Sequence, residues 1–317
     1  MPRDRTAILR SPEFLRHDTG EHPERAARLV AIDREITRRG LLDGRPELPF
    51  APASDDAISA VHDPALLAFL TAVADAGGGW ITPDTVVRRE SVDVARLAAG
   101  AGIAMVDAVV AGEIDRGMVL ARPPGHHATA DEAMGFCLLN TAAIAAAHAL
   151  ARGIERVAII DWDVHHGNGT QDIFYDSGSV LYCSLHQSPL YPWTGAAEEA
   201  GTGEGVGFTV NVPLPPDTGG EDFLAAFRKR IVPAIDAFVP GLLLVSAGYD
   251  AHRDDPIGGM RLTDETFREL MRDTIAIANR SCGGRLGIVL EGGYDVDALA
   301  RCVADAIEIL DNAAPAG

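Results

Sequence analysis

Ala158-Ile159-Ile160-Asp161-Trp162-Asp163-Val164-His165-His166-Gly167-Asn168-Gly169 begins as an apolar run and breaks off into acids and imidazoles. A parallel strand buried on both faces reads this way when it delivers polar side chains at its C-terminal end. Asp163 and His165 stand two apart, so an extended backbone turns both to one face. A carboxylate oxygen and an imidazole nitrogen converging there supply two of the three protein ligands of a catalytic zinc site, whose fourth position stays open. Asp161 has the same parity and can support another histidine from behind. Taken alone, the stretch also fits a capped strand end with solvated polar residues. The rest of the chain decides between the two.

Outward from that centre, short apolar runs alternate with longer amphipathic segments. Thr6–Leu9, Met118–Ala121, Val180–Ser184, Phe208–Val212, Leu242–Ser246 and Gly287–Leu290 read as further strands. Helical patterning covers His22 to about Arg39, residues 63–76 and 90–112, Asn140 to Arg152, 221–238, Thr263 to Arg280, and Asp295 to Asp311. Asn140 reads as a cap, and Thr263 with Thr266 as a capping box. This alternation predicts one parallel sheet with helices on both faces, and a single domain over residues 1–317.

The 317 residues are 47% hydrophobic, enough for a large core, and carry a net charge of −19. A phosphate backbone would be repelled, which argues against nucleic-acid partners. No run approaches the ~18 apolar residues that span a bilayer. Met1-Pro2-Arg3-Asp4-Arg5 leads straight into the first strand, and Cys137, Cys183, Cys282 and Cys302 show no CxxC pairing. A cytoplasmic protein with reduced thiols is expected.

Polar clusters fall just after strands: His126-His127, Asp161/Asp163/His165, His186, Asp250 and Tyr294. In an open α/β sheet such segments meet at the carboxyl edge. Asp250 would complete a two-oxygen, one-nitrogen donor set with Asp163 and His165, though alone it also fits a turn cap. His126-His127 follow a rigid Pro-Pro-Gly turn and suit general base and acid work. Tyr294, after Gly292-Gly293, can donate to a developing oxyanion.

Arg122–Ala128 (RPPGHHA), Gly135–Asn140 (GFCLLN), Asp161–Thr170 (DWDVHHGNGT), Ser184–Gln187 (SLHQ), Ser246–Ala251 (SAGYDA), Glu291–Tyr294 (EGGY) and His22–Arg25 (HPER) together resemble the zinc-dependent histone deacetylase family. The closest likeness is to its class II branch and to bacterial deacetylase-like and acetylpolyamine amidohydrolases. The resemblance implies a three-layer α/β/α sandwich around a central, mostly parallel eight-stranded sheet, the arginase–deacetylase fold. It implies zinc on Asp163, His165 and Asp250, catalysis by His126, His127 and Tyr294, and Asp161 as the partner of His126. Gly135, Phe136 and Tyr191 would line an acyl-lysine channel. Potassium would bind at Asp161, Asp163, His165, Ser184 and Leu185, and again at Phe174, Ser177 and Val180.

The sequence departs from the family pattern at three places. Asn168 stands where class I members carry an aspartate, so His127 has a neutral partner and should be less basic. Trp193 replaces a small residue and reshapes the channel mouth. Ile257 is apolar where some polyamine-selective relatives are acidic, which favours acyl-lysine, although Glu198, Glu199 and Asp84 are acidic candidates elsewhere. The expected substrates are acetylated lysine side chains, with acetylated polyamines as the alternative. Arginase-like manganese chemistry and a non-catalytic acyl-lysine binder are the lesser readings, and a homo-oligomer is left open.

Overall fold

The computed structural model describes residues 5–313, so the Met1–Asp4 lead-in lies outside the described residues. Among the described residues nine strands occur in chain order: β1 (Thr6–Leu9), β2 (Gly79–Trp80), β3 (Val86–Val87), β4 (Arg116–Val119), β5 (Val157–Asp161), β6 (Val180–Gln187), β7 (Thr209–Leu214), β8 (Leu242–Ala247) and β9 (Leu286–Leu290). Seven form one sheet in the order β1-β4-β9-β8-β5-β6-β7, with every pairing parallel. The expected eight-stranded, mostly parallel sheet is therefore corrected to seven strands, all parallel. The seven are the seven apolar runs of the sequence. The remaining extended pieces, β2 and β3, pair only with each other, as a two-residue antiparallel ribbon.

Every residue of β5, β8 and β9 is buried, because helices cover both faces. That two-sided burial explains runs such as Val157-Ala158-Ile159-Ile160, which show no polar alternation. Helix ends follow local chemistry. Asn140 Oδ1 accepts from Ala143 N at 3.0 Å, and Asp295 Oδ1 from Ala298 N at 2.8 Å. Thr263 and Thr266 form the capping box, opening the helix Asp264–Cys282.

Two helical expectations change. The first helix spans Ala27–Arg38 and does not start at His22, because the His22–Arg25 side chains and backbone are drawn into turns and buried bonds. Residues 221–238 are interrupted: Gly220–Ala226 and Val232–Phe238 flank a wide π-turn at Phe227–Ile231. Pro233 has no N–H for the preceding turn, so the ladder must slip there.

The chain leaves β5 toward β6 and β7, then returns to β8 on the other side of β5. At that reversal a crevice opens beyond the carboxyl ends of the strands. β4, β9, β8 and β5 are contiguous, and each is followed by one of the polar clusters. No helix among the described residues is long and apolar enough to cross a membrane.

Candidate active site

The loops after those four strands bring His126, His127, Asp163, His165, Asp250 and the Glu291–Tyr294 turn together. His165 Nδ1 lies 3.0 Å from Asp163 Oδ1 and 3.2 Å from Asp250 Oδ2. Ligand atoms of the three residues all lie within 4.8 Å of one another, and all three residues are buried. The other oxygens are held by backbone: Asp250 Oδ1 accepts from Val164 N (2.8 Å) and Asp163 Oδ2 from Gly292 N (2.8 Å).

Asp250 Oδ2 is fully buried and, among the described residues, receives no hydrogen bond; its contact is the 3.2 Å approach of His165 Nδ1. Two carboxylates facing one imidazole leave a surplus negative charge in a dry pocket, an expensive arrangement unless a cation joins it. A Cβ on Gly292 would run into both Asp163 and Asp250 carboxylates, so glycine keeps that space open. The donor set fits a divalent metal with open coordination positions.

Two other groups with metal-ligand side chains do not read this way. At His252, Asp264 and Cys302, Arg301 Nε already occupies Asp264 at 2.9 Å. At His126, Cys137 and Glu291, both Glu291 oxygens are bonded, to Gly125 N (2.6 Å) and to the Ser246 hydroxyl (3.0 Å).

The paired histidines differ in their partners. His126 Nδ1 is 3.0 Å from Asp161 Oδ2, which also accepts from the Tyr182 hydroxyl at 3.0 Å. Burial alone would depress His126, but the Asp161 and Asp163 charges outweigh it and carry it up to about 10. His127 Nδ1 donates to Asn168 Oδ1 at 2.8 Å, leaving Nε2 as the open lone pair. Burial, then the nearby His126 and His165 charges, push His127 well below the usual histidine range. Two adjacent imidazoles are thus driven apart, one toward the acid form and one toward the base form.

Tyr294 lies against Phe136, ring centroids 5.7 Å apart and perpendicular. Burial and then the Asp250 charge raise its hydroxyl well above the ordinary value, keeping it a proton donor. Tyr191 meets His127 edge-on at 5.1 Å and lies 6.3 Å from His165. Tyr191 thus stands beside both histidines, while Phe136 packs between Tyr294 and the His22 ring, 4.4 Å away. Gly135 has φ +56°, and a Cβ there would strike the His127 ring. Ile257 is half-buried in a turn held by Asp255, its N–H bonded to Asp255 Oδ1 at 2.9 Å.

At the expected potassium positions, Ser184 pairs in register with Asp161, but its hydroxyl is 2.8 Å from His186 Nδ1. Ser177 N donates to the Phe174 carbonyl at 3.0 Å, just before Val180 opens β6. His186 lies inside β6 and not beyond it; its Nε2 bonds Gly195 O at 3.0 Å, so it braces a loop. Glu199 is likewise committed, accepting from Gly195 N, Ala196 N and Gln171 Nε2.

Sequence reasoning missed four supporting residues. Glu24 binds Arg122 through two bonds of 2.6 and 2.8 Å and Arg28 at 3.1 Å, all fully buried. Arg28 in turn donates to the carbonyls of Glu291 and Gly293 (2.7 Å for the latter) and lies 5.1 Å from the Tyr294 ring. Glu291 Oε2 holds the His126 loop, and Asp255 Oδ2 accepts from Tyr294 N at 2.6 Å. Their only local signals were the i,i+4 spacing of Glu24 and Arg28, and acids placed directly after a strand or before a proline.

The histone deacetylase domain model matches residues 22–310. The chain belongs to the histone deacetylase family. It is 42% identical to a probable deacetylase of Archaeoglobus fulgidus over 92% of this chain and 82% of that one. It is 42% identical to the histone deacetylase-like amidohydrolase of Pseudomonas aeruginosa, over 92% of this chain and 76% of that one. The human polyamine deacetylase HDAC10 is 39% identical over 92% of this chain, which spans 44% of that longer protein. Among solved structures, the HDA15 HD domain superposes with a TM-score of 0.92 at 35% identity, covering 98% of this chain and 89% of that one. Membership of this family and these relatives support an enzyme with deacetylase activity.

Proposed function

We propose that the protein is a zinc-dependent hydrolase of the amide in N-acetyl-lysine side chains. The observation that carries this reading is the orphaned, buried Asp250 Oδ2, set among Asp163 and His165 beside the histidine pair. A zinc ion held by those three residues would polarise the acyl carbonyl and make its bound water acidic. His127, oriented by Asn168, takes the proton from the attacking water through Nε2. His126, paired with Asp161, supports positive charge in the site as the amine departs protonated. Tyr294 donates to the oxygen on which negative charge develops, and Phe136 and Tyr191 flank the aliphatic stem of the substrate. Potassium at the Asp161/Ser184 and Phe174/Ser177/Val180 positions would brace the strand ends beneath.

We further read residues 1–317 as one domain acting in the cytoplasm, where the four buried free thiols stay reduced. Acetylated polyamines are the second reading, supported by the polyamine-deacetylating relative, whereas the apolar Ile257 supports acyl-lysine. The test is kcat/KM for acetyl-lysine peptides against acetylated spermidine and putrescine, with zinc-loaded and metal-stripped protein. A peptide preference lost on stripping is expected. A polyamine preference would overturn the substrate, and turnover that survives stripping would overturn the metal.

A further inference from the structure

Between β4 and the helix that opens at Thr141, the chain from 120 to 140 forms neither helix nor strand, yet it carries the paired histidines. Such a segment keeps one geometry only where its buried backbone groups find partners outside it. From His126 to Ala130 every carbonyl does. His126 O accepts from Gly169 N at 3.0 Å and Thr170 N at 3.1 Å, and His127 O from Asn168 Nδ2 at 3.4 Å. Ala128 O accepts from Asn140 Nδ2 at 3.3 Å, Thr129 O from His62 Nδ1 at 2.8 Å, and Ala130 O from Asp63 N at 2.6 Å. The last two donors come from the turn between the helices Asp55–Ser59 and Pro64–Asp75, which carries none of the site residues described above.

His62 is 2% exposed, and both of its ring nitrogens are engaged. Nδ1 faces the Thr129 carbonyl, and Nε2 faces the Asn140 backbone N–H at 2.9 Å. A carbonyl only accepts and an amide N–H only donates, so Nδ1 carries the proton and Nε2 is bare. Burial draws His62 below the ordinary histidine range, which keeps the ring neutral and this tautomer in place near neutral pH. The two bonds serve different ends. The bond from Asn140 N satisfies the start of a helix whose Asn140 side chain already caps Ala143 N. The bond to Thr129 O pins the chain two residues beyond His127. Asn168 aims the His127 ring through one hydrogen bond, but the loop places the residue itself.

We infer that His62 is a positioning residue for the amide hydrolysis: its Nδ1–H, through Thr129 O, fixes the loop that sets His127 against the attacking water. The inference rests on the hydrolase reading above and adds to it a residue outside the site. A reacting group misplaced by about 1 Å costs on the order of 10²-fold in rate, so loss of this anchor is read in kcat. A histidine needed only for packing would lower stability and leave the turnover of each folded molecule intact.

His62→Asn and His62→Gln separate the two bonds. An asparagine amide nitrogen stands near the Nδ1 position and still donates to Thr129 O, whereas a glutamine carbonyl reaches near Nε2 and still accepts from Asn140 N. Each variant loses one buried bond, so both should lower the urea midpoint. Zinc per chain, kcat and KM for the better of the acetyl amides above are measured where circular dichroism shows each protein folded. His62→Gln should lower kcat by about 10- to 100-fold, with KM within about threefold and zinc unchanged. His62→Asn should keep kcat within about threefold. Equal kcat losses in the two, a larger loss in His62→Asn, or full kcat in His62→Gln overturns the inference. If His62→Gln does not fold, His62→Asn decides alone, and a tenfold kcat loss there overturns it. Nitrogen-15 NMR of the His62 ring in the unaltered protein needs no turnover: a proton on Nδ1 and a bare Nε2 are expected, and a ring protonated on Nε2 overturns the inference. An unaltered protein that turns over no acetyl amide overturns the hydrolase reading instead, which none of these comparisons between variants can do.

Discussion

Replacing Glu24 by Gln should destabilise the protein and loosen the site at once. Glu24 is 0% exposed and is the shared counter-charge of Arg28 and Arg122, both 0% exposed. Breaking a buried ion pair from one side costs about 3–5 kcal/mol, because the remaining charge has no solvent to turn to. For a chain of this length the unfolding entropy is roughly 0.7 kcal/mol/K, so a loss of about 4 kcal/mol lowers Tm by about 6 °C. The pH dependence gives an independent check. Burial would raise the Glu24 carboxyl, but Arg122 and then Arg28 overcome it and hold it at about 2. A folded-state value below the unfolded one of about 4.5 means stability that is present above pH ~4.5 and lost as pH falls toward 2. The full contribution is about 3 kcal/mol. Urea unfolding of both proteins between neutral pH and the lowest pH at which they stay folded is the assay. The gap between them should be widest at neutral pH and narrow below about pH 4.5. A Glu24→Gln variant with unchanged Tm, or a gap that widens in acid, would refute the reasoning.

Activity should respond more steeply at residues that face the reacting atoms. Tyr294→Phe is expected to lower kcat by about 10²–10³ with metal content unchanged, measured by steady-state kinetics beside elemental analysis. Gly135→Ala should lose most activity and about 1–3 kcal/mol of stability, since its φ of +56° is strained for alanine and its Cβ meets the His127 ring. Denaturation and kcat/KM would show both losses together, and an unchanged kcat/KM would speak against close contact there. Asp255→Ala, which frees Tyr294 N and Asp295 N, should lower kcat without emptying the metal site; metal loss there would place Asp255 in another role.

How much of this was legible beforehand depends on whether a residue's task is local. Asp163, His165 and Asp250 could be picked out as candidates because each follows an apolar strand and a parallel sheet gathers its carboxyl ends, but strand parity was not the reason they meet: β5 ends at Asp161, and Asp163 and His165 lie in the bend beyond it. Asn168 as the partner of His127 came from the family pattern, and the 2.8 Å bond agrees with it. Glu24, Arg28, Glu291 and Asp255 were not assigned roles, because charged residues on amphipathic segments normally face water. Their burial arises from partners such as Arg122, 98 positions away. The eighth strand was an import from the family, while the apolar runs themselves mark seven. The π-turn before Pro233 was visible in the proline, but periodicity across 221–238 masked it. Glu199 looked free for substrate and proves to be tied into its own loop.

The central claim is that Asp163, His165 and Asp250 hold one divalent metal on which amide hydrolysis depends. The most direct test is metal stoichiometry and deacetylation measured together on the purified protein and on Asp250→Asn. The account predicts close to one zinc per chain with turnover in the first, and loss of both in the second, whose fold is unchanged by circular dichroism. An Asp250→Asn protein that keeps its metal and its activity, or a native protein that hydrolyses acetyl amides with the site stripped, would contradict it.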